Sequence, residues 1–347
     1  MEQPVLRLGL LGFAEAQARR LGAWVGQTQP GWPTWVVGDP HLADAWMING
    51  SAVQVQDRDG LLIHHPHGSG ERLALHRSEV DRPLAFAAPL PEGFASAEFF
   101  DGDDEGSVRQ RLQRFEAWLR PLRSQFALGA RMVEHLRQFK HGVVHVVHEG
   151  RLLAVIDLDR WLAGLFIPAR PVDIAMAEWV PRPQLAGEVP PSFMRLPLHR
   201  VMWTYAVRTQ REILPARYRE QTVFLRRVPR LPARWFDELH LLLMQELVAA
   251  PGRLDDLVQR TGRPTAAVAQ HLAALYYAGG VTTDGEGARR AALDTRKAVL
   301  SLQFQQADDV QDGQERDSGL SEQAPPSSIL RELRHSPLRP VGEDGQV

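Results

Sequence analysis

The sequence predicts an α/β N-terminal domain, followed by a β-rich middle section, a helical C-terminal module and a disordered tail. Three observations lead to this prediction. Near the N-terminus, an apolar run that ends in glycine (5–12) precedes a stretch of helix-forming residues (14–25). Further on, two apolar runs flank Glu149-Gly150, a pair typical of β-hairpin turns. After residue 306 the chain is polar, acidic and rich in proline, a composition that cannot bury a core.

The composition is that of an ordinary globular protein. The chain has 347 residues, of which 44% are hydrophobic and 24% charged, enough for two or three domains. Its net charge of -2 means that any basic surface for nucleic acid is local. The absence of cysteine excludes disulfides, thiolate metal sites and cysteine nucleophiles. No signal-peptide pattern and no apolar run of membrane-spanning length is present, so we expect a cytoplasmic protein without a membrane contact.

The N-terminal domain is assigned to residues 1–105. After the first strand and helix, short apolar runs predict strands at 34–37, 45–48 and 83–87. Strands and helices at this spacing are typical of an α/β unit with a partly parallel sheet. The polar segment 53–81 is interpreted as a hairpin or a long loop.

The middle section is assigned to residues 106–190. Apolar residues recur with a period near 3.6 between Ser107 and Phe139, which predicts a helix that Pro121 splits or kinks. A β-hairpin is expected over 143–158. The proline-rich stretch 181–191 marks the boundary with the next part.

The C-terminal module, within residues 191–305, has the most regular pattern. A first helix ends at Pro251-Gly252, and a short second helix (254–260) ends at Thr261-Gly262, a glycine C-cap. A third helix begins near Pro264 and places Val268, Leu272 and Leu275 on one face. Residues 279–283 then turn into a short strand.

The segment 232–285 resembles the winged helix-turn-helix family, through "Leu-x-x-Leu-Val-x-x-Thr-Gly" in its second helix and "Val-x-x-x-Leu-x-x-Leu" in its third. The resemblance implies that the third helix enters the DNA major groove. The exposed positions of that helix are expected to be mostly alanine, which is a poor surface for reading bases. The candidate DNA contacts are Arg260 and Arg263 for phosphate, with Gln270 and His271 (and Thr265) as polar readers. We therefore expect packing or protein contact as the use of the module, with DNA binding as the alternative.

Residues 5–100 resemble a response-regulator receiver domain in the order and spacing of their strands. The resemblance implies an acidic pair after the first strand and a phosphate-accepting aspartate after the third. Here Gly12-Phe13-Ala14 follow the first strand and Asn49-Gly50 follow the third. A domain with these residues is a degenerate receiver that cannot accept phosphate and is kept for binding or dimerisation.

A dense cluster of arginines is the main candidate for anion binding. Aromatic residues interleave it, and guanidinium groups bind phosphates and stack on bases. The cluster consists of Arg208, Arg211, Arg217, Arg219, Arg226, Arg227, Arg230 and Arg234. It suits a nucleic-acid backbone or a nucleotide such as a cyclic dinucleotide. The alternative is that these arginines are ordinary charges on solvent-exposed faces, because the chain is rich in arginine.

No motif for catalysis or for a metal is complete. The histidines at 64–67 and 141–148 lack a further ligand, and the acidic run 101–106 is interpreted as a helix cap. No phosphate-binding loop with lysine and no nucleophile elbow is present. We therefore expect no enzyme activity, cofactor or metal. The predicted function is a non-catalytic bacterial signalling or regulatory protein that acts through protein contacts, with a homodimer as one option. The alternatives are a DNA-binding transcription regulator and a binder of an anionic nucleotide.

Overall fold

The part of the chain that the computed structural model describes has an α/β fold that combines parallel and antiparallel sheets, as the sequence predicts. None of its helices is long and apolar enough to cross a membrane. The tail after residue 306 and residues 65–67 of the first histidine cluster lie outside the described residues. The described residues are 1–27, 31–57, 59–64, 72–78, 80–91, 94, 98–135, 138–139, 141–288 and Val299.

The N-terminal part is built on a parallel five-stranded sheet. Its elements up to residue 135 are β1 (Val5–Leu11), α1 (Glu15–Val25), β2 (Thr34–Val37), β3 (Ala45–Asn49), β4 (Val53–Val55), β5 (Gly60–His64), β6 (Arg72–His76), β7 (Leu84–Ala87), β8 (Phe99–Phe100), α2 (Glu105–Trp118) and α3 (Arg120–His135). The sheet has the order β2-β1-β3-β7-β8, and every neighbouring pair is parallel. Strands β4, β5 and β6 form a separate antiparallel sheet from the segment interpreted as a hairpin or loop.

Both faces of the parallel sheet are buried, which explains why its strands are continuously apolar. Met47 and Ile48 are neighbours in β3 and both are fully buried, because successive side chains point to opposite faces. Met47 packs with Leu8 and with residues of α1 and α2. Ile48 packs with Phe86 against the sheet of β4, β5 and β6.

A carboxyl group is buried where α2 meets β2. Glu116 is 5% exposed, and its Oε1 accepts a hydrogen bond of 3.0 Å from Nε1 of Trp35. Burial raises the pKa of Glu116, although the Trp35 hydrogen bond and the positive charge of Arg123 oppose the rise. The folded protein therefore holds the proton of Glu116 more tightly than the unfolded chain does.

We expect the unfolding free energy of the wild type to fall, relative to that of Glu116→Gln, as pH rises from about 4 to 7. The unfolded chain releases this proton near its ordinary pKa of 4.5, and the folded state releases it only at higher pH. Stability from the neutral carboxyl group is therefore present at low pH and lost as pH rises. Urea unfolding of both proteins at a series of pH values measures this. Parallel pH profiles for the two proteins would contradict the assignment.

The second part of the chain forms an antiparallel five-stranded sheet. Its elements are β9 (Val143–His148), β10 (Arg151–Asp157), β11 (Leu162–Phe166), α4 (Pro171–Met176), β12 (Glu178–Arg182) and β13 (Phe193–Pro197), in the sheet order β12-β9-β10-β11-β13. The hairpin predicted over 143–158 is confirmed. Glu149 and Gly150 both have positive φ, as a tight two-residue hairpin turn requires. Helix α2 also ends just before Pro121, which occupies the first turn of α3, where its missing N–H is tolerated.

The C-terminal part is mainly helical. Its elements are α5 (Leu198–Ala206), α6 (Arg217–Glu220), β14 (Phe224–Leu225), α7 (Glu238–Ala249), α8 (Leu254–Thr261), α9 (Thr265–Tyr277) and β15 (Val281–Thr282). Gly262 adopts the left-handed conformation (φ +64°) that the predicted C-cap needs. Strand β14 pairs with β15, and Val223 bridges to Gly252. The helices lie where the sequence predicts them, and the winged-helix assignment stays a prediction.

One hydrophobic core joins the middle sheet to the C-terminal helices, across the boundary predicted near residue 190. Strand β13 follows that boundary, yet it pairs with β11 in the middle sheet. Gly129 of α3 faces the backbone and the side chain of α5 so closely that a methyl group there would lie 2.6 Å from Cβ of Tyr205. Helix α5 therefore packs tightly on α3.

The expectation that the alanines of α9 are exposed is wrong for most of the helix. Ala269, Ala273 and Ala274 are each less than 5% exposed, and only the first turn, at Thr265 and Ala266, is open to solvent. Helix α9 packs against α5 as well as against α7 and α8. Small side chains let these helices approach closely.

Candidate anion-binding cavity

A cavity of about 170 Å³ lies where six parts of the chain meet: β1, the loop before β3, the segment before β7, the junction of α2 and α3, helix α5, and the segment that leads into α7. Its lining has an excess of three positive charges, because it contains five arginines and two aspartates. These residues are Arg7, Arg82, Arg200, Arg208, Arg234, Asp44 and Asp81. A concave, partly apolar site with this excess favours an anion.

Arg208 is fixed at the cavity by a buried carboxylate. Its Nη2 donates to Oδ1 of Asp44 at 2.5 Å, and the two side chains are 17% and 8% exposed. Oδ2 of Asp44 accepts a hydrogen bond of 2.9 Å from the backbone N–H of Arg7. The backbone carbonyl of Arg208 accepts from the N–H of Val5. These bonds tie the amino ends of β1 and β3 to the end of α5.

A second pair of arginines shares one carboxylate on another side of the cavity. Asp81 forms ion pairs with Arg82 at 3.1 Å and with Arg234 at 2.8 Å. The guanidinium of Arg82 lies 4.6 Å from the centre of the Trp46 ring and donates to the carbonyl oxygen of Ala43 at 2.7 Å. The guanidinium groups are therefore held in place before any ligand arrives, which limits the entropy that binding would lose.

Arg7 carries a charge that its surroundings disfavour. Burial and the like charge of Arg208 lower the pKa of Arg7, although Asp44 opposes this. A guanidinium nevertheless stays protonated at neutral pH. An anion in the cavity would offset the repulsion between the two arginines.

Gln125 is the least satisfied polar side chain at the cavity. It is 1% exposed and lines the cavity from α3. Among the described residues, neither the oxygen nor the nitrogen of its amide has a hydrogen-bond partner. Leaving buried polar atoms unpaired costs about 1–3 kcal/mol each, and such groups in native proteins call for an explanation. A ligand that both donates and accepts hydrogen bonds would supply one.

The apolar part of the lining is largely aromatic. Trp118, Trp203 and Trp235 contribute to it, and the Arg200 guanidinium stacks over the Trp235 ring at 4.9 Å. Indole rings offer flat faces on which a planar ligand can stack.

Three side chains at the start of α7 and the middle of α9 form a compact polar cluster beside the cavity, namely Asp237, His240 and His271. Nδ1 of His240 lies 2.8 Å from Oδ1 of Asp237, and Nε2 of His271 lies 2.9 Å from Oδ2. Burial lowers the pKa of His240 to about 4, against the hydrogen bond and charge of Asp237, so this imidazole is neutral at neutral pH. Burial by itself raises the pKa of Asp237, but the contacts with His240 and His271 outweigh it, and the pKa lies below its ordinary value. His240 also lines the cavity.

The arginine cluster predicted from the sequence is divided between the cavity and other contacts. Only Arg208 and Arg234 of its members line the cavity. Three of the others lie near one another, because the pKa of Arg227 is lowered by burial and also by the like charges of Arg226 and Arg230. Arg211 pairs with Glu2 and Glu134, and Arg219 pairs with Glu212. The guanidinium of Arg217 lies over the rings of Tyr218 and Tyr276. The backbone N–H of Arg226 donates to the carbonyl oxygen of Gly280, Nε of Arg227 donates to that of Gly279, and the carbonyl oxygen of Arg230 accepts from His199.

The candidate DNA contacts are engaged with the chain's own atoms. Arg260 donates to the carbonyl oxygens of Glu246 and Ala250, and Arg263 pairs with Glu238 at 3.1 Å. Gln270 donates to the carbonyl oxygen of Thr209 at 3.1 Å, which lies at the end of α5. His271 belongs to the cluster with Asp237.

Reasoning from the sequence missed several residues of the cavity, among them Arg7, Asp44, Gln125 and His240. They come from four segments that are far apart in the chain, so no local spacing could have indicated them. One signal was present for His240. Asp237-x-x-His240 follows the spacing of a helix cap, with Asp237 accepting from the backbone N–H of His240 at 3.0 Å.

The position expected for a receiver phosphoacceptor lies at the carboxyl ends of the strands, opposite the cavity. Asn49 ends β3, and its Nδ2 donates to the carbonyl oxygen of Gly12 at 2.9 Å, while its Oδ1 accepts from the N–H of Ser51. The cavity lies at the amino ends of β1 and β3.

No protein-family model, curated protein or solved structure matches the chain.

Proposed function

We propose that the chain is a non-catalytic regulatory protein that binds a small anionic ligand of the mononucleotide class in this cavity. The observation that carries the proposal is the buried, unpartnered amide of Gln125 in a cavity that arginines line. Arginines supply the charge for a phosphate, and the amide supplies a reader for a second, neutral part of the ligand.

A nucleotide combines the groups that this lining can recognise. Guanidinium groups bind phosphate through charge-assisted hydrogen bonds, often in pairs. A flat base stacks on indole or guanidinium planes, which Trp118 and the Arg200–Trp235 pair offer. A glutamine amide pairs its oxygen and nitrogen with the donor and acceptor edge of a purine.

The size of the cavity favours a mononucleotide over a cyclic dinucleotide. Its volume of about 170 Å³ is only slightly larger than the cavity of about 150 Å³ that holds one benzene molecule in an engineered protein. One ring system therefore fits inside, with the rest of the ligand at the mouth. A ligand with two bases and a cyclic backbone would have to leave one of its bases outside.

A regulatory role is supported by the position of the cavity between parts of the chain that the ligand would hold together. Arg7 and Asp44 belong to the N-terminal sheet, Arg208 follows α5, and His240 belongs to α7. The strand order of the parallel sheet, 2-1-3-4-5 in chain order, is shared by flavodoxin-like doubly wound sheets. This order supports the proposal of a receiver-like domain in which Asn49 replaces the phosphate-accepting aspartate. A protein contact is the expected output, and the edge strand β2, where Val36 and Val37 are more than 40% exposed, supports it.

The alternative of a DNA-binding regulator has weaker support. Base readout through α9 needs exposed polar side chains, and Gln270 and His271 contact Thr209 and Asp237 instead.

The proposal predicts that the full chain binds AMP or GMP but binds the corresponding nucleosides at least about 10-fold more weakly, because the phosphate meets the arginines. Isothermal titration calorimetry with AMP, GMP, adenosine, guanosine and inorganic phosphate tests this. Inorganic phosphate should compete with the nucleotide. Failure of both mononucleotides to bind at millimolar concentration, or equal affinity for nucleoside and nucleotide, would contradict the proposal.

A further inference from the structure

The cluster of Asp237, His240 and His271 has a geometry that the anion site does not need. Each side chain offers one ligand atom, and these atoms lie within 4.8 Å of one another. Each imidazole presents a ring nitrogen to a different oxygen of the same carboxylate, at 2.8 Å for His240 and 2.9 Å for His271. His240 is 2% exposed, and Asp237 and His271 are about one-fifth exposed.

The second nitrogen of His271 already has a partner that only accepts. Nδ1 lies 2.7 Å from the backbone carbonyl oxygen of Ala267, one turn earlier in α9. A carbonyl cannot donate, so Nδ1 carries the proton in this contact. In a neutral imidazole, Nε2 then presents a lone pair to a carboxylate that is also only an acceptor. Two acceptors 2.9 Å apart need a cation between them, either a second proton on the ring or a metal ion.

A metal-ligating histidine has this arrangement. Its free ring N–H donates to a backbone carbonyl or a carboxylate, which fixes the tautomer and directs the other nitrogen at the metal. Ligand atoms about 2.1 Å from a zinc ion, at angles of about 90–110°, lie about 3.0–3.4 Å apart. The contacts of 2.8 and 2.9 Å in the cluster are close to that spacing.

The structure assigns to Asp237, His240 and His271 a binding site for a divalent transition-metal ion such as Zn²⁺. Two imidazoles and one carboxylate are ligands that Zn²⁺ accepts, and three protein ligands leave a fourth position for water or another molecule. His240 also lines the cavity, so the metal site and the anion site adjoin each other.

The surrounding charges set the strength of this site. Arg7 is close enough to interact with both Asp237 and His240, and its positive charge opposes a metal ion. Asp44 partly neutralises Arg7. A bound metal would in turn add positive charge beside the cavity and strengthen its attraction for an anion. The metal site does not depend on which anion binds.

The test uses the full chain, produced without a histidine tag, stripped with EDTA and titrated with ZnCl₂ by calorimetry, with the metal content measured by mass spectrometry. We expect one Zn²⁺ per chain and a rise in the unfolding temperature. Asp237→Asn keeps a side chain that caps a helix, so the variant should fold. It should nevertheless bind Zn²⁺ at least about 10- to 100-fold more weakly, because changing a residue that only hydrogen-bonds to a metal ligand already causes a loss of that size. His271→Gln should have an effect at least as large.

His141→Gln is the matched control, because His141 also contacts a carboxylate, Asp159 at 3.3 Å, but is 86% exposed. Its affinity for Zn²⁺ should equal that of the wild type. The proposal is overturned if the wild type binds no Zn²⁺, which would mean that a proton occupies the site between His271 and Asp237. It is also overturned if Asp237→Asn and His271→Gln both bind Zn²⁺ as the wild type does.

Discussion

Arg208→Leu is expected to lower the unfolding free energy by about 3–5 kcal/mol, the range found when one partner of a buried ion pair is removed. The carboxylate of Asp44 is 8% exposed and would lose the guanidinium that now contacts it at 2.5 Å. The loss should be visible as a shift of the urea midpoint with little change in the slope of the transition.

Two comparisons isolate the cause of this effect. Arg19→Leu removes an arginine whose ion pair with Glu15 is more than two-thirds exposed on both sides, and it should change stability by less than about 0.5 kcal/mol. The double variant Asp44→Ala/Arg208→Leu should be more stable than the sum of the two single losses predicts, because it removes both members of the ion pair together. Strict additivity of the two losses would show that Asp44 and Arg208 are not coupled.

Trp203→Ala is the second change with a large expected effect, a loss of about 3–5 kcal/mol. Trp203 lies on α5 and is 2% exposed, with its ring centre 5.2 Å from that of Phe236 and 4.6 Å from that of His240. Its truncation would enlarge the cavity and remove the contact between α5 and the start of α7. Chemical unfolding measures the loss.

Trp161→Ala is the control for the size of the deleted side chain. Trp161 is 54% exposed in the turn between β10 and β11, and its replacement should change stability by less than about 0.5 kcal/mol. Similar losses for the two variants would mean that Trp203 is not part of a packed core.

Local features of the fold could be predicted from the sequence because neighbouring residues determine them. The Glu149-Gly150 hairpin, the left-handed cap at Gly262 and the helix break before Pro121 all depend on backbone preferences of one or two residues. The environment of α9 could not be predicted in this way. Its alanines are compatible with solvent or with close packing, and only the arrival of α5 on that face decides between them.

The candidate site depends on contacts between distant segments, and this is why the sequence did not predict it. The density of arginines between Arg208 and Arg234 indicated an anion site, but of these residues only Arg208 and Arg234 line the cavity. The cavity combines these two with Arg7 and Gln125, which lie at least 83 residues earlier in the chain. Asp237, His240 and His271 likewise come together only when α7 packs on α9.

The central claim is that the cavity is a ligand site. Its most direct test is to measure both the unfolding free energy and the mononucleotide affinity of Gln125→Leu. Leucine has a similar size but no polar atoms to leave unpaired. The variant should therefore unfold with a free energy about 1–3 kcal/mol higher than that of the wild type, and it should bind the mononucleotide at least about 10-fold more weakly. Gln210→Leu, which replaces an exposed glutamine, should change neither quantity. A gain in stability together with a loss of affinity is the result we predict. A Gln125→Leu protein that is less stable than the wild type, or that binds mononucleotides equally well, would contradict the account.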